Sequence, residues 1–172
     1  MPLPSDDELL GIARRLASGI GGERLRPGDL AALRRLDPAA PPRPFWMLWF
    51  EAWEGRRTEP PAELERPFAV YTRTAAELGG SGKGGIGHAL AELGDPAEPR
   101  LLRLLRSLGE RLEDELRQLA HLLRSRDLRP DPADLALLLV HAPDRPRGEA
   151  VRRRIARDFY ARLFQRERET AA

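Results

Sequence analysis

The residues of this sequence that could do chemistry are arginines. Arg100, Arg103 and Arg106 recur every third residue through PRLLRLLRS, so in a helix they run along one strip. A guanidinium is a planar fork matched to phosphate oxygens, and a row of them on a rigid helix suits a polyanion. A solvated helix face is the alternative. Further along, Arg117, His121 and Arg124 share one side of a helical run, and Arg152, Arg153, Arg154, Arg157 and Arg162 decorate the last one. Lys83, the only lysine, sits inside Gly79-Gly-Ser-Gly-Lys-Gly-Gly85. That segment fails as a P-loop. The spacing needs a glycine where Glu77 stands and a Ser or Thr where Gly84 stands. It reads instead as a mobile loop with Lys83 free to reach a backbone phosphate.

Catalytic and metal-ligating constellations are not found. His88, His121 and His141 fall in separate elements with no H-x-x-x-H pair. No serine stands in a nucleophile elbow, and Asp6-Asp7 and Asp114-Glu115 lie on solvated helical turns. The expectation is a protein that is not an enzyme and carries neither metal nor cofactor. With no cysteine in 172 residues, disulfides and thiolate chemistry are excluded, and a reducing cytoplasm is the expected setting. The acidic start Ser5-Asp-Asp-Glu8 is no signal peptide, and no apolar run approaches the roughly 20 residues of a membrane span.

Charge is unevenly spread. Residues 1–99 hold 12 basic and 15 acidic side chains, whereas Arg100 onward holds 17 and 12. The C-terminal part is therefore the electropositive one, and polyanion binding by the monomer should be weak and salt-sensitive. The abundance of arginine beside Ala, Gly, Pro and Leu also fits a simple compositional bias.

These side chains must be positioned by helices, because no sustained two-residue alternation of β-branched residues occurs. Ser5 and Glu8 have capping-box spacing before Leu9, Leu10, Ile12, Ala13 and Leu16, and Gly19-Ile-Gly-Gly22 ends that helix. Asp29 is the expected N-cap of the next, with Leu30, Leu33 and Leu36 inward and Arg34 and Arg35 elsewhere. A proline-rich connection, Pro38 to Pro44, leads to Phe45–Trp53, whose aromatics read as core or subunit contact. A helix from about Ala62 or Pro67 reaches Leu78, with a break near Pro67 left open. His88–Leu93 ends at Gly94, and Asp95-Pro96 opens a run whose stripe is Leu101, Leu104, Leu105 and Leu108. Leu112–Leu123 continues to about Ser125, and Asp131-Pro132 starts the apolar run Leu135–Val140. A last helix, about Gly148–Arg166, buries Val151, Ile155, Phe159 and Phe164.

Several of these pieces occur in a recognisable order. Gly28-Asp-Leu-Ala-Ala-Leu-Arg-Arg35 is followed by the proline-bounded aromatic helix, the glycine-rich loop and Ile86-Gly-His-Ala-Leu-Ala91. Then come the arginine-leucine helix, the aspartate-started helix and Arg152-Arg-Arg-Ile-Ala-Arg-Asp-Phe-Tyr160. From about Arg26 to Phe164 the chain resembles CasB, the small subunit of the type I-E CRISPR surveillance complex called Cascade. The resemblance implies an all-α fold of two packed bundles: residues 1–94 with the glycine-rich loop at 79–87, and residues 95–168, a basic bundle of about four helices. Residues 169–172 would be a frayed tail.

It implies two copies packed head to tail, beside the backbone and large subunits, the guide RNA and the target DNA including its displaced strand. The role would be R-loop stabilisation in antiviral defence through sequence-independent backbone contacts, since base pairing with the guide supplies the sequence. Arg34 and Arg35 match the family's early Arg-Arg pair, Arg100 and Arg106 its central basic helix, and Arg152 a basic position early in the last helix. His121 stands where a relative has arginine. Asp131-Pro132 and Val140-His141 stand where tryptophan-containing segments are found. The candidate nucleic-acid contacts are therefore Arg34, Arg35, Lys83, Arg100, Arg103, Arg106, His121, Arg124, Arg152 and Arg153. A helical adaptor or dimerisation module with merely solvated arginines is the alternative. A sequence-reading repressor would need a compact helix-turn-helix, and none is presented cleanly.

Overall fold

The computed structural model describes residues 3–56, 59–94 and 97–172. The fold is all-α, and among the described residues it consists of nine helices: α1 (Asp6–Gly21), α2 (Pro27–Arg34), α3 (Arg43–Ala52), α4 (Ala62–Leu78), α5 (Ile86–Glu92), α6 (Ala97–Arg106), α7 (Gly109–Ser125), α8 (Ala133–His141) and α9 (Arg145–Ala171). The expected Asp95-Pro96 start lies outside the described residues.

Helix starts follow local chemistry. The capping box of α1 is complete: Glu8 N–H donates to Ser5 Oγ at 3.4 Å, and Ser5 N–H donates to the Glu8 carboxylate at 2.9 Å. Before α8, Asp131 Oδ1 accepts from Ala133 N–H at 2.9 Å. The α2 boundary differs from expectation. The helix begins at Pro27 with Arg26 as N-cap, and Asp29 acts from the third helical position by accepting from Arg26 N–H at 3.3 Å. Proline suits a first helical turn, and this sets the start three residues earlier than an Asp29 cap would. Helix α9 also starts earlier than expected, because the Asp144 carboxylate accepts from Arg147 N–H at 3.3 Å.

Helix α4 occupies the centre, packed against α1, α2, α7 and α8. It runs unbroken through Pro67, and every side chain from Phe68 to Ala76 is buried. Its polar members are satisfied at short range. Tyr71 Oη donates to Ala13 O at 2.8 Å, which ties α4 to α1, and Thr72 and Thr74 donate to the carbonyls of Phe68 and Val70. The aromatic helix α3 is largely core: Phe45, Trp49 and Trp53 are buried, and the Trp49 ring lies 5.0 Å from Phe68. Phe50 is exposed. On the far side α9 packs against α5 and α8, while α6 bridges α5 and α7.

Two stripes end earlier than their spacing suggests. Leu108 is 56% exposed, because α6 stops at Arg106 and Leu108 becomes the extended residue before α7. Phe164 is 60% exposed, because the in-phase position after Val151, Ile155 and Phe159 is Leu163.

The glycine-rich loop is pinned, which corrects its reading as mobile. Lys83 N–H donates to Arg129 O at 3.0 Å, and Asp131 N–H donates to Gly84 O at 2.7 Å. A Cβ at Gly82 would lie 1.8 Å from Arg129 O. Just beyond, a Cβ at Gly87 would lie 2.3 Å from Ile155 O and 2.9 Å from Phe159 N, so α9 rests on the bare backbone of α5. Because the obstructing atoms are backbone, Gly87→Ala is expected to cost about 1–3 kcal/mol, the range of overpacked sites. Urea denaturation checks this, and an unchanged midpoint would show that the α5–α9 contact is loose.

Candidate nucleic-acid interface

The candidate basic residues divide into those held by carboxylates between helices and those left to the surface. Glu77, near the end of α4, is the main internal acceptor. Arg124 Nη1 donates to its Oε1 at 2.9 Å, His121 Nδ1 lies 3.4 Å from the same oxygen, and Arg34 Nε lies 4.0 Å from Oε2. Arg34 also donates to Ala76 O at 3.2 Å. Three candidates from α2 and α7 are thus gathered on one carboxylate. Arg35, exposed just after α2, borders the neighbouring cleft with Arg66, Arg73 and Arg117.

On α6, Arg103 Nε lies 3.8 Å from Glu115 Oε2 of α7. Arg100 is half-buried and Arg106 exposed, and among the described residues neither meets a carboxylate within 4.0 Å. Lys83 is exposed on its pinned loop. In the arginine triplet of α9, Arg154 donates to Asp134 Oδ1 at 2.8 Å, whereas Arg152 is half-buried and Arg153 exposed. The contacts do not join Lys83, Arg152 or Arg153 to the Glu77 group. Arg73, Glu77 and Arg117 border the same cleft as Arg34 and His121, and the sequence did not single them out as contacts. Their juxtaposition depends on how α4 meets α7, and no local pattern carries it.

Histidines are each met by one carboxylate: His88 by Glu92 at 3.7 Å, His121 by Glu77, and His141 by Asp6 at 2.8 Å. Among the described residues no group of three or more His, Cys, Asp or Glu side chains could hold a metal ion. No helix among them is long and apolar enough to cross a membrane.

The basic face of α9 is oriented by a clasp on α5. Arg162 donates to the Glu92 carboxylate, Arg166 Nε lies 3.8 Å from its other oxygen, and Arg166 also donates to Ala91 O. The hydrogen bond from Arg162, with the charges of Arg162, Arg166 and His88, holds the Glu92 carboxyl below its ordinary 4.5.

A model of the CRISPR-associated protein Cse2 family matches residues 29–160, from the first turn of α2 to the exposed Tyr160 of α9. The chain belongs to that family. Two solved structures share the fold of this Cse2 family member. CasB of M. ruber is 20% identical, with 93% of this chain and 96% of that chain covered and a TM-score of 0.67. A chain of a CRISPR RNA-guided surveillance complex is 22% identical, with 96% and 98% covered and a TM-score of 0.59. No curated protein matches the sequence. The match bears out the family resemblance read from the order of motifs.

The Glu92 clasp has a pH signature. A carboxyl held low in the folded chain stabilises it fully above its ordinary value, and that contribution fades as pH falls through the folded value. The stability difference between the parent chain and Glu92→Gln is therefore expected to shrink as pH falls below 4.5. Chemical denaturation at stepped pH reads this. A difference that does not change on acidification would mean that the clasp contributes no titrating charge.

Proposed function

We propose that this chain is the non-catalytic small subunit of an RNA-guided CRISPR surveillance complex, stabilising the R-loop through arginine contacts to nucleic-acid backbone. The observation that carries the reading is the family match over residues 29–160. It is supported by a likeness of fold to a chain of a surveillance complex along nearly the whole of both chains. Partners on this reading are the complex's backbone and large subunits, a second copy of this chain packed head to tail, the guide RNA and the target DNA with its displaced strand. The setting is the cytoplasm.

Pairing between guide and target reads the sequence, so a small subunit needs only charge in the right place. Arg100 and Arg106 on α6 are the first candidates, because no carboxylate among the described residues neutralises them. Arg103 is partly answered by Glu115. Lys83, Arg152 and Arg153 add surface charge elsewhere, and Arg35 borders the cleft it shares with Arg66, Arg73 and Arg117.

The test uses a complex assembled with the parent chain or with Arg100→Glu/Arg106→Glu. Dissociation of target DNA is followed across a salt series. The double reversal is expected to speed dissociation about tenfold or more and to flatten the salt dependence, as fewer phosphate contacts release fewer ions. Unchanged retention by an intact complex would overturn the arginine assignment and favour a helical adaptor that works through protein contacts alone.

A further inference from the structure

Helix α3 turns Phe45, Trp49 and Trp53 into the core and leaves an apolar outer edge. It packs on α1 and α2, and Trp49 reaches Phe68 of α4. Met47 and Phe50 stand at i and i+3, neighbours on the helix surface, and are 61% and 58% exposed. Phe50 stacks at 6.1 Å on Trp46, whose indole N–H already donates to Pro41 O at 3.1 Å. Large apolar side chains grouped at a surface and rimmed by charge mark a place where another molecule sits.

Beside this edge lies a cleft of about 470 Å³, between the end of α1, the loop to α2, and α3. Its apolar lining is Leu25, Pro44, Met47 and Leu48. Its charged lining is Arg24, Arg26 and Arg43 against Asp29 and Glu51, a surplus of one positive charge. Glu51 is taken by Arg24, and the Asp29 carboxylate accepts from Arg26 N–H at 3.3 Å. Among the described residues the guanidinium groups of Arg26 and Arg43 meet no carboxylate within 4.0 Å.

These features select the chemistry of the occupant. A phosphodiester gains nothing from Leu25, Pro44 and Met47, whereas an apolar side chain laid over them leaves water. The surplus cation favours a carboxylate beside that side chain. From Arg43 to Glu51 the edge is about 12 Å long, which matches roughly two turns of a helix laid alongside.

We propose that the outer edge of α3 and its cleft dock a short amphipathic helix of another protein subunit. Its apolar anchors cover Met47 and Phe50, and an Asp or Glu next to them meets Arg26 and Arg43. The inference rests on the reading of this chain as a subunit of a complex. It adds a protein-facing surface that is separate from the α6 arginines.

The experiment places a photo-crosslinker in the assembled complex through Phe50→p-benzoyl-phenylalanine. The expected adduct lies on a helical segment of another subunit, with Leu, Met or Phe at the attached position and Asp or Glu within four residues. An adduct on nucleic acid, an adduct on a second copy of this chain, or none on any other subunit would overturn the proposal.

Met47→Glu/Phe50→Glu and Arg26→Glu/Arg43→Glu are each expected to weaken incorporation about tenfold. All four side chains are exposed, so the free variants should keep the parent's circular dichroism and elution volume. Arg100→Glu/Arg106→Glu should incorporate normally, so loss of docking and loss of DNA retention fall on different variants. Normal incorporation of the Met47/Phe50 variant would overturn the docking surface while leaving the proposed function standing. If the parent itself enters no complex, the proposed function fails, and the free chain is titrated with a fluorescein-labelled peptide of three Glu-Ala-Leu-Leu repeats. Binding abolished in the Met47/Phe50 variant would then support the surface, and absent or unchanged binding would overturn it.

Discussion

The burial of α4 on every side from Phe68 to Ala76 is the constraint on which the rest of the structure depends. A helix surrounded by protein has no water to satisfy its polar side chains, so each must find a partner within the fold. Thr72 and Thr74 turn back to their own helix, and Tyr71 reaches the backbone of α1, where burial pushes its phenol proton affinity up. Those solutions fix α1, α2, α7 and α8 around one axis. Arg73 is the member of the row whose solution is incomplete, with one carbonyl for a whole guanidinium.

Charge in this chain is organised less by amount than by where the carboxylates stand. A formal net charge of +2 describes an almost balanced sequence. Glu77, Glu92, Glu115 and Asp134 each lie between helices and each engage arginines from another element. They act as joints, tying α4 to α7, α5 to α9, α7 to α6 and α8 to α9. The arginines outside these joints, such as Arg106 and Arg153, are then the surface charge available to a partner. Surface ion pairs contribute little to stability on their own, so the joints matter more for the direction in which each basic helix faces.

Much of this was legible in the sequence. The all-α class, the capping box of α1, the turn before α8 and the buried faces of α1, α3 and α7 follow from local spacing and cap chemistry, which act over a few residues. The order of motifs also carried the family. What local spacing could not supply is where a buried face stops. Leu108 and Phe164 look apolar and periodic, yet one follows a helix end and the other stands a residue out of phase with its neighbours. The glycines were misread for a related reason: their run resembles a flexible linker, whereas the bare backbone is required by α9 at Gly87 and by Arg129 at Gly82. The site was the least legible part. The arginines stood out singly, but the carboxylates that hold some and leave others come from other elements, up to 70 positions away.

The glycine-rich loop has one practical consequence. Lys83 supplies the chain's only side-chain amine, and it projects from a backbone clamped on both sides by residues 129 and 131. Amine-selective reagents therefore have a single side-chain target, and it sits at a fixed point of the fold rather than on a swinging tether. A dye attached there would report distances to a bound strand or neighbouring subunit from a known origin, with the arginine surface left chemically untouched.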